Sequence, residues 1–251
     1  MFNWSMSRQM TPTRKERRRL LREQRAAAGF PKQPQVPPPL SLATIRPMTI
    51  NQNRVFKEFN RGQHLVLHGY AGTGKSFLSL YLALNEVVGK GTYKRVIVVR
   101  SAVPSRTQGF LPGTEEEKAA VYESAYISIV DDLFKKHGSY NRLKDQKAIE
   151  FTTTSYLRGL TIDDAIIIID EVQNMIDGEI NTVMTRVGQN ARVVICGDFR
   201  QNDLVSKREE SCIRSLMDTV NRMPSFSVIE MTHDDIVRSG LVREWIIARE
   251  P

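Results

Sequence analysis

Gly69-Tyr70-Ala71-Gly72-Thr73-Gly74-Lys75-Ser76 is the stretch from which the rest of the chain can be read. It has the spacing G-x-x-x-x-G-K-[ST], that of a phosphate-binding P-loop. His64-Leu65-Val66-Leu67-His68 leads into it, short and apolar enough for a buried parallel strand. Phe77-Leu78-Ser79-Leu80-Tyr81-Leu82-Ala83-Leu84 follows, with the residues and length of a buried helix. Glycines let the backbone wrap around a phosphate with its N–H groups turned inward, and the helix N-terminus adds a positive partial charge. The loop from Gly69 to Ser76, with Phe77, is therefore the expected nucleotide-binding set. Lys75 would reach the β- and γ-phosphates of ATP, and Ser76 would ligate Mg²⁺.

The acidic half of such a site is visible further on. Four isoleucines, Ile166 to Ile169, run into Asp170-Glu171. An apolar strand ending in an acid is the Walker B arrangement, in which Asp170 holds Mg²⁺ through its water shell. Glu171 beside it can orient and deprotonate an attacking water, a base that hydrolases need and small-molecule kinases do not. Val193-Val194-Ile195-Cys196 then leads to Gly197-Asp198-Phe199-Arg200-Gln201. In P-loop sheets this strand commonly lies between the P-loop strand and the Walker B strand, so Gln201 is the candidate γ-phosphate sensor. Gln52, 17 residues before Gly69, is a candidate adenine reader. Arg238, just before the last helical stretch, is a candidate arginine finger, in its own subunit or across an interface.

At 251 residues and 41% apolar content the chain can build a substantial core. No apolar run approaches a membrane span and the N-terminus carries no apolar signal region, so the expected location is the cytoplasm. Cys196 and Cys212 lack metal-ligand spacing and are expected to be packing residues. The four histidines show no ligand spacing either. The net charge of +8 is localised: residues 1–50 hold ten Lys/Arg and two Glu, while the rest balances to zero. Residues 1–47 join a basic run around Arg14 to Arg22 with seven of the chain's eleven prolines. They are expected to form a disordered, basic, Pro-rich extension, suited to non-specific phosphate contacts.

Beyond it, strands are predicted at 64–68, 95–99, 149–153, 165–169, 191–196 and 226–231. Helices are predicted at 75–88, 114–137, 178–187, 207–222 and 240–249. Alternation of this kind means βαβ units and a mainly parallel sheet with helices on both faces, over residues 48–251. Residues 101–148 exceed a simple crossover and are read as an insertion at the rim of the sheet. Arg100, Arg106, Phe110, Tyr156 and Arg158 are candidates for touching nucleic acid, since Arg holds phosphates and an aromatic face stacks a base.

Taken together, these motifs resemble the PhoH family of P-loop ATPases, also widespread in bacteriophages. The likeness spans about Thr49 to Arg243. It rests on the P-loop, on Gly109-Phe110-Leu111-Pro112-Gly113, on Tyr156-Leu157-Arg158-Gly159, on Asp170-Glu171-Val172-Gln173-Asn174 and on Gly197-Asp198-Phe199-Arg200-Gln201-Asn202-Asp203-Leu204. Tyr70, Ser101 and Leu160 depart from the family pattern, which usually has Pro, Pro and Arg there. The resemblance implies a single RecA-like P-loop NTPase domain, similar to the first motor domain of superfamily-one helicases. It further implies Mg-dependent ATP hydrolysis coupled to RNA or single-stranded DNA, with helicase-like remodelling, in a homo-oligomeric ring that the family suggests is hexameric. The competing reading is a nucleotide-driven protein switch or assembly factor with no nucleic-acid track.

Overall fold

The computed structural model describes residues 13–19, 39–101, 115–199 and 207–249, apart from the side chains of residues 115–118 and 207–211. Gln201, Arg106 and Phe110 lie outside the described residues. Two compact units divide the chain, Met1–Pro39 and Leu40–Pro251. In the first, residues 14–19 are helical. Thr13 and Glu16 cap that turn reciprocally, the Thr13 amide donating to Glu16 Oε2 at 2.8 Å.

The second unit is a single RecA-like α/β domain built on a six-stranded sheet. Its strands are β1 (His64–Gly69), β2 (Arg95–Arg100), β3 (Ile149–Thr153), β4 (Ala165–Ile169), β5 (Arg192–Gly197) and β6 (Phe226–Met231). Their spatial order is β3-β2-β4-β5-β1-β6, and every pairing is parallel. As expected, β5 separates the P-loop strand from the strand that ends at Asp170. The helices are α1 (Ile50–Asn60), α2 (Lys75–Leu84), α3 (Glu115–Phe134), α4 (Ser139–Asp145), α5 (Asp177–Met184), α6 (Lys207–Val220) and α7 (Gly240–Ala248).

Period-2 alternation along the central strands feeds two cores. Ile166 and Ile168 of β4 face a cluster built with α1 to α4, which includes Val55, Phe59, Leu80, Leu84, Tyr126 and Tyr140. Ile167 and Ile169 face the opposite cluster, with Ile180 and Val183 of α5 and Leu216 and Val220 of α6. A wholly parallel sheet must be covered on both faces, which is why β4 reads as an unbroken apolar run.

The structure changes some of the expected bounds. Helix α2 continues as a π-helix over Asn85–Lys90, and α1 and α4 are elements beyond the predicted set. The 101–148 stretch was expected at the rim. Its described part is α3 and α4, whose Val130, Leu133, Tyr140 and Leu143 are core residues against the sheet. The amide-rich turn between these helices is anchored by Asp131, whose carboxylate accepts from the Gly138 and Tyr140 amides at 2.8 and 3.1 Å. Cys196 and Cys212 are free and buried, in keeping with packing roles.

The folded unit also begins earlier than residue 48. Leu40, Leu42 and Ile45 pack against the first core, and the Ala43 amide donates to the Leu133 carbonyl at 2.9 Å. Withdrawing these three side chains partly from water, at about 25 cal/mol per Å², adds to the stability of the folded unit. A chain truncated after residue 47 should therefore melt several degrees below one truncated after residue 39, as followed by circular dichroism.

Candidate nucleotide-binding site

The P-loop joins β1 to α2 at the carboxyl edge of the sheet. Gly69, at φ 113°, has no room for a side chain, because a Cβ there would collide with the Met231 carbonyl of the adjacent strand. Gly72, at φ 75°, lies under Arg238, whose Cγ would be 2.8 Å from any added Cβ. Thr73 is fully buried and its hydroxyl donates to the Tyr70 carbonyl at 2.9 Å, closing the loop on itself. The Lys75 ammonium donates to the Gly69 and Tyr70 carbonyls, both at 2.7 Å. Burial lowers its pKa, and the nearby acidic groups, Asp198 foremost, oppose that shift.

Opposite the loop stands Asp170, 5% exposed. Its amide continues the β4 ladder by donating to the Val99 carbonyl at 3.0 Å, so its backbone is fixed by β2. The Ser76 hydroxyl donates to its carboxylate, at 2.9 Å from Oδ1 and 3.0 Å from Oδ2. The Tyr126 hydroxyl, from α3, donates to Oδ2 at 2.7 Å. Burial first, and then the Asp170 charge, push the Tyr126 phenol well above its ordinary pKa.

Glu171 turns the chain out of the strand in the left-handed region, φ 54° and ψ 44°, unusual for a non-glycine residue and typical of functional turns. Burial raises its carboxyl pKa and Asp170 adds to the shift, while Arg100, Gln173 and Lys75 pull the other way. The Gln173 amide bridges this residue to the next strand end. Its Nε2 donates to Glu171 Oε2 at 2.5 Å, and its Oε1 accepts from the Asp198 amide at 3.1 Å.

Gly72, Lys75, Ser76, Asp170, Glu171 and Asp198 line one cleft of about 530 Å³, together with Arg46, Met48, Gln52, Phe77, Asp132, Val237 and Arg238. That volume suits a ligand of nucleotide size. The donor set fits Mg²⁺: a hydroxyl and a carboxylate, both hard oxygen donors, already lie within hydrogen-bond distance. Magnesium characteristically takes few protein ligands and completes its shell with phosphates and water. No cluster of three or more His, Cys, Asp or Glu able to hold a metal occurs among the described residues.

Two expected residues have structural partners of their own. Gln52, 3% exposed, accepts from the Met48 amide at 2.8 Å and donates to the Thr73 carbonyl at 3.2 Å, bracing the P-loop against α1. Arg238 is brought onto its own P-loop, because the Val237 amide donates to the Gly72 carbonyl at 3.1 Å. Among the described residues, the nucleic-acid candidates Arg100, Tyr156 and Arg158 are separate from the cleft lining. Arg100 ends β2 and stacks its guanidinium 4.7 Å from the Tyr122 ring centre. Tyr156, 54% exposed, and Arg158, also exposed, follow β3. Two of the four histidines play packing roles: His64 accepts from the Val193 amide at 3.0 Å and His68 stacks on Phe199.

Sequence reading missed Tyr126, Gln173 as a bridge, and Asp235. Asp235, 1% exposed, accepts from the Thr49 hydroxyl, from Asn51 Nδ2 at 2.7 Å and from the Thr232 amide at 2.7 Å. It thereby ties the start of α1, which carries Gln52, to the segment carrying Arg238. Gln173 stands in a motif already singled out and Asp235 lies three residues before Arg238, but nothing local marks Tyr126. Burial works to raise the Asp235 pKa; the bonds from Asn51, Thr49 and Thr232 outweigh it and hold the carboxyl below its ordinary value. A depressed pKa contributes stability above the unfolded value and loses it as pH falls through the folded one. The melting temperature of Asp235→Asn should therefore lie below wild type at neutral pH, with the gap shrinking below about pH 4. Thermal melts from pH 3 to 7 measure it.

The family model described as PhoH-like protein matches residues 44–250. A PhoH-like protein of Mycobacterium leprae is 33% identical over 211 residues, covering 82% of this chain and 58% of its own length. One from Bacillus subtilis is 33% identical over 207 residues, covering 82% and 64%. Protein PhoH2 of Bacillus subtilis is 36% identical over 165 residues, covering 63% and 37%. The chain thus spans less than two thirds of these bacterial relatives. Among solved structures, the large terminase of a thermophilic bacteriophage in complex with ADP superposes with a TM-score of 0.48 at 12% identity. The match covers 79% of this chain and 49% of the terminase. With nearly all of the folded unit matched by the family model, the chain belongs to the PhoH-like protein family.

Proposed function

We propose that the protein is a Mg-dependent ATPase whose hydrolysis is coupled to RNA or single-stranded DNA. The observation that carries the reading is the convergence of Lys75, Ser76, Asp170 and Glu171 in one cleft. These residues come from chain segments 94 residues apart, joined by the Ser76–Asp170 hydrogen bond.

In this reading the triphosphate lies along the P-loop amides and the α2 N-terminus. Its negative charge takes Lys75 from the Gly69 and Tyr70 carbonyls. Ser76 and Asp170 would hold the metal, which would supply positive charge to offset that of the phosphates. Glu171 accepts the proton of the attacking water. Its raised pKa makes it the stronger base, and Gln173 aims it. Arg238, beside Gly72 in the same chain, is suited to the phosphate charge that develops in the transition state. Gln52 sets the loop's position from behind, and Gln201 remains the proposed phosphate sensor.

Tyr156 and Arg158, exposed after β3, support a nucleic-acid track at the carboxyl edge, with Arg100 at the end of the adjacent strand β2 and Arg106 and Phe110 following it in sequence. Leu241, 76% exposed, and Trp245, 64% exposed, lie on α7 beside the cleft. They support a homo-oligomeric ring in which a neighbouring copy covers that face.

Two experiments test the proposal. Glu171→Gln should bind ATP normally yet hydrolyse it at least ~10²-fold more slowly, and Lys75→Ala should weaken nucleotide binding itself. In wild type, kcat should fall on the acid side with a midpoint above the ordinary glutamate value, because only the ionised carboxylate serves as base. Near-normal turnover of Glu171→Gln would remove that residue from the mechanism. Phosphate release should also rise with single-stranded RNA or DNA, and Tyr156→Ala with Arg158→Ala should blunt the rise without changing the basal rate. Hydrolysis indifferent to both strands would favour a protein-directed switch.

A further inference from the structure

Asp170 accepts from two hydroxyls of different origin. Ser76 belongs to the P-loop and contacts both carboxylate oxygens; Tyr126 comes from α3 and contacts Oδ2 alone. Tyr126 is 2% exposed and belongs to the apolar core with Val130 and Leu133. Its ring lies 5.6 Å from that of Phe151, a contact that a phenylalanine would make equally well. The packing around it therefore gives no reason for a hydroxyl, and Asp170 does. Ser76, shared almost evenly between the two oxygens, does not distinguish them, whereas a donor on one oxygen alone resists rotation about the Cβ–Cγ bond. Tyr126 is that donor, so Oδ2 carries the bond from α3 and Oδ1 does not.

Tyr122, one helical turn earlier, makes the contrast. It lies on the same face of α3, its ring carries the Arg100 guanidinium, and its hydroxyl is buried with no hydrogen-bond partner among the described residues. Of two tyrosines four residues apart, one hydroxyl is joined to the acidic strand end and the other is not.

We propose that Tyr126 is a positioning residue for the divalent-cation site, acting through Asp170 by fixing which carboxylate oxygen faces the metal. The proposal rests on the metal–nucleotide reading above. Partners of metal-ligating side chains characteristically change metal affinity by about 10- to 100-fold when removed. The lower end applies here, because Asp170 keeps its bond from Ser76. Tyr126 also makes α3 part of the site: the helix that leaves the 102–114 segment is anchored to the group that would hold the metal.

The test compares the full chain as wild type, Tyr126→Phe and Tyr122→Phe. The affinity for a fluorescent ADP is measured in EDTA and then across a Mg²⁺ titration, with a thermal melt of each variant. In wild type, Mg²⁺ should tighten ADP binding. Tyr126→Phe should match wild type in EDTA yet need about tenfold more Mg²⁺ for half of the tightening. Tyr122→Phe should match wild type in both. The ratio of affinities with and without Mg²⁺ is unaffected by the fraction of folded protein, so a modest loss of stability leaves the readout intact. An unchanged Mg²⁺ midpoint in Tyr126→Phe would overturn the proposal. So would an equal weakening with and without Mg²⁺, which would make Tyr126 a packing residue only. If wild type itself binds ADP without regard to Mg²⁺, or not at all, the metal–nucleotide reading falls and this one with it. That failure is seen in the parent protein rather than in the variant.

Discussion

Six strands running the same way impose one condition on everything else in this protein: all their carboxyl ends lie on a single edge. The P-loop leaves β1 there, Asp170 ends β4 there and Asp198 follows β5 there. Because β5 lies between the other two, the hydroxyl of Ser76 crosses beneath its end to reach Asp170. A parallel sheet also needs helical connections and cover on both faces. The two cores, one beneath α1 to α4 and the other beneath α5 and α6, follow from the same condition. The cleft is what remains open at the edge where the connections turn back.

Within that edge, the burial of Asp170 sets the electrostatic terms. A carboxylate withdrawn from water requires donors, and Ser76 and Tyr126 supply them. Its charge then acts on its neighbours, raising Glu171 and opposing the desolvation that lowers Lys75. Glu171 is kept apart from it by a left-handed turn and by the Gln173 bridge, so two adjacent acids take different surroundings. One is tied down by hydroxyls and suits metal binding. The other, its pKa raised by burial and its carboxylate partnered by an amide, suits proton transfer.

A second buried acid organises the far wall. Asp235 draws Thr49, Asn51 and Thr232 together, so the N-terminus of α1 and the turn after β6 are tied to each other. Gln52 and Arg238 ride on these two elements and approach the P-loop from different directions, one through the Thr73 carbonyl and one through Gly72. The loop is thereby held by residues that precede it and by residues that end the domain.

The strand–loop–helix around Gly69 to Ser76, the run of isoleucines into Asp170-Glu171 and the alternation of strands and helices were legible because each is a local pattern. Period, spacing and glycine placement are properties of neighbouring residues, and backbone geometry enforces them wherever the chain goes. They were enough to state the fold class and to name residues that converge at the candidate site. Only the tertiary structure decided that Leu40, Leu42 and Ile45 belong to the core, that α3 and α4 lie against the sheet, and that Arg238 reaches its own P-loop. It alone brought Tyr126 to Asp170, 44 residues away, and Asp235 to Asn51, 184 residues away. Single hydrogen bonds across such separations leave no periodic trace in the sequence, because they are fixed by how packed elements meet and not by the conformation of either segment.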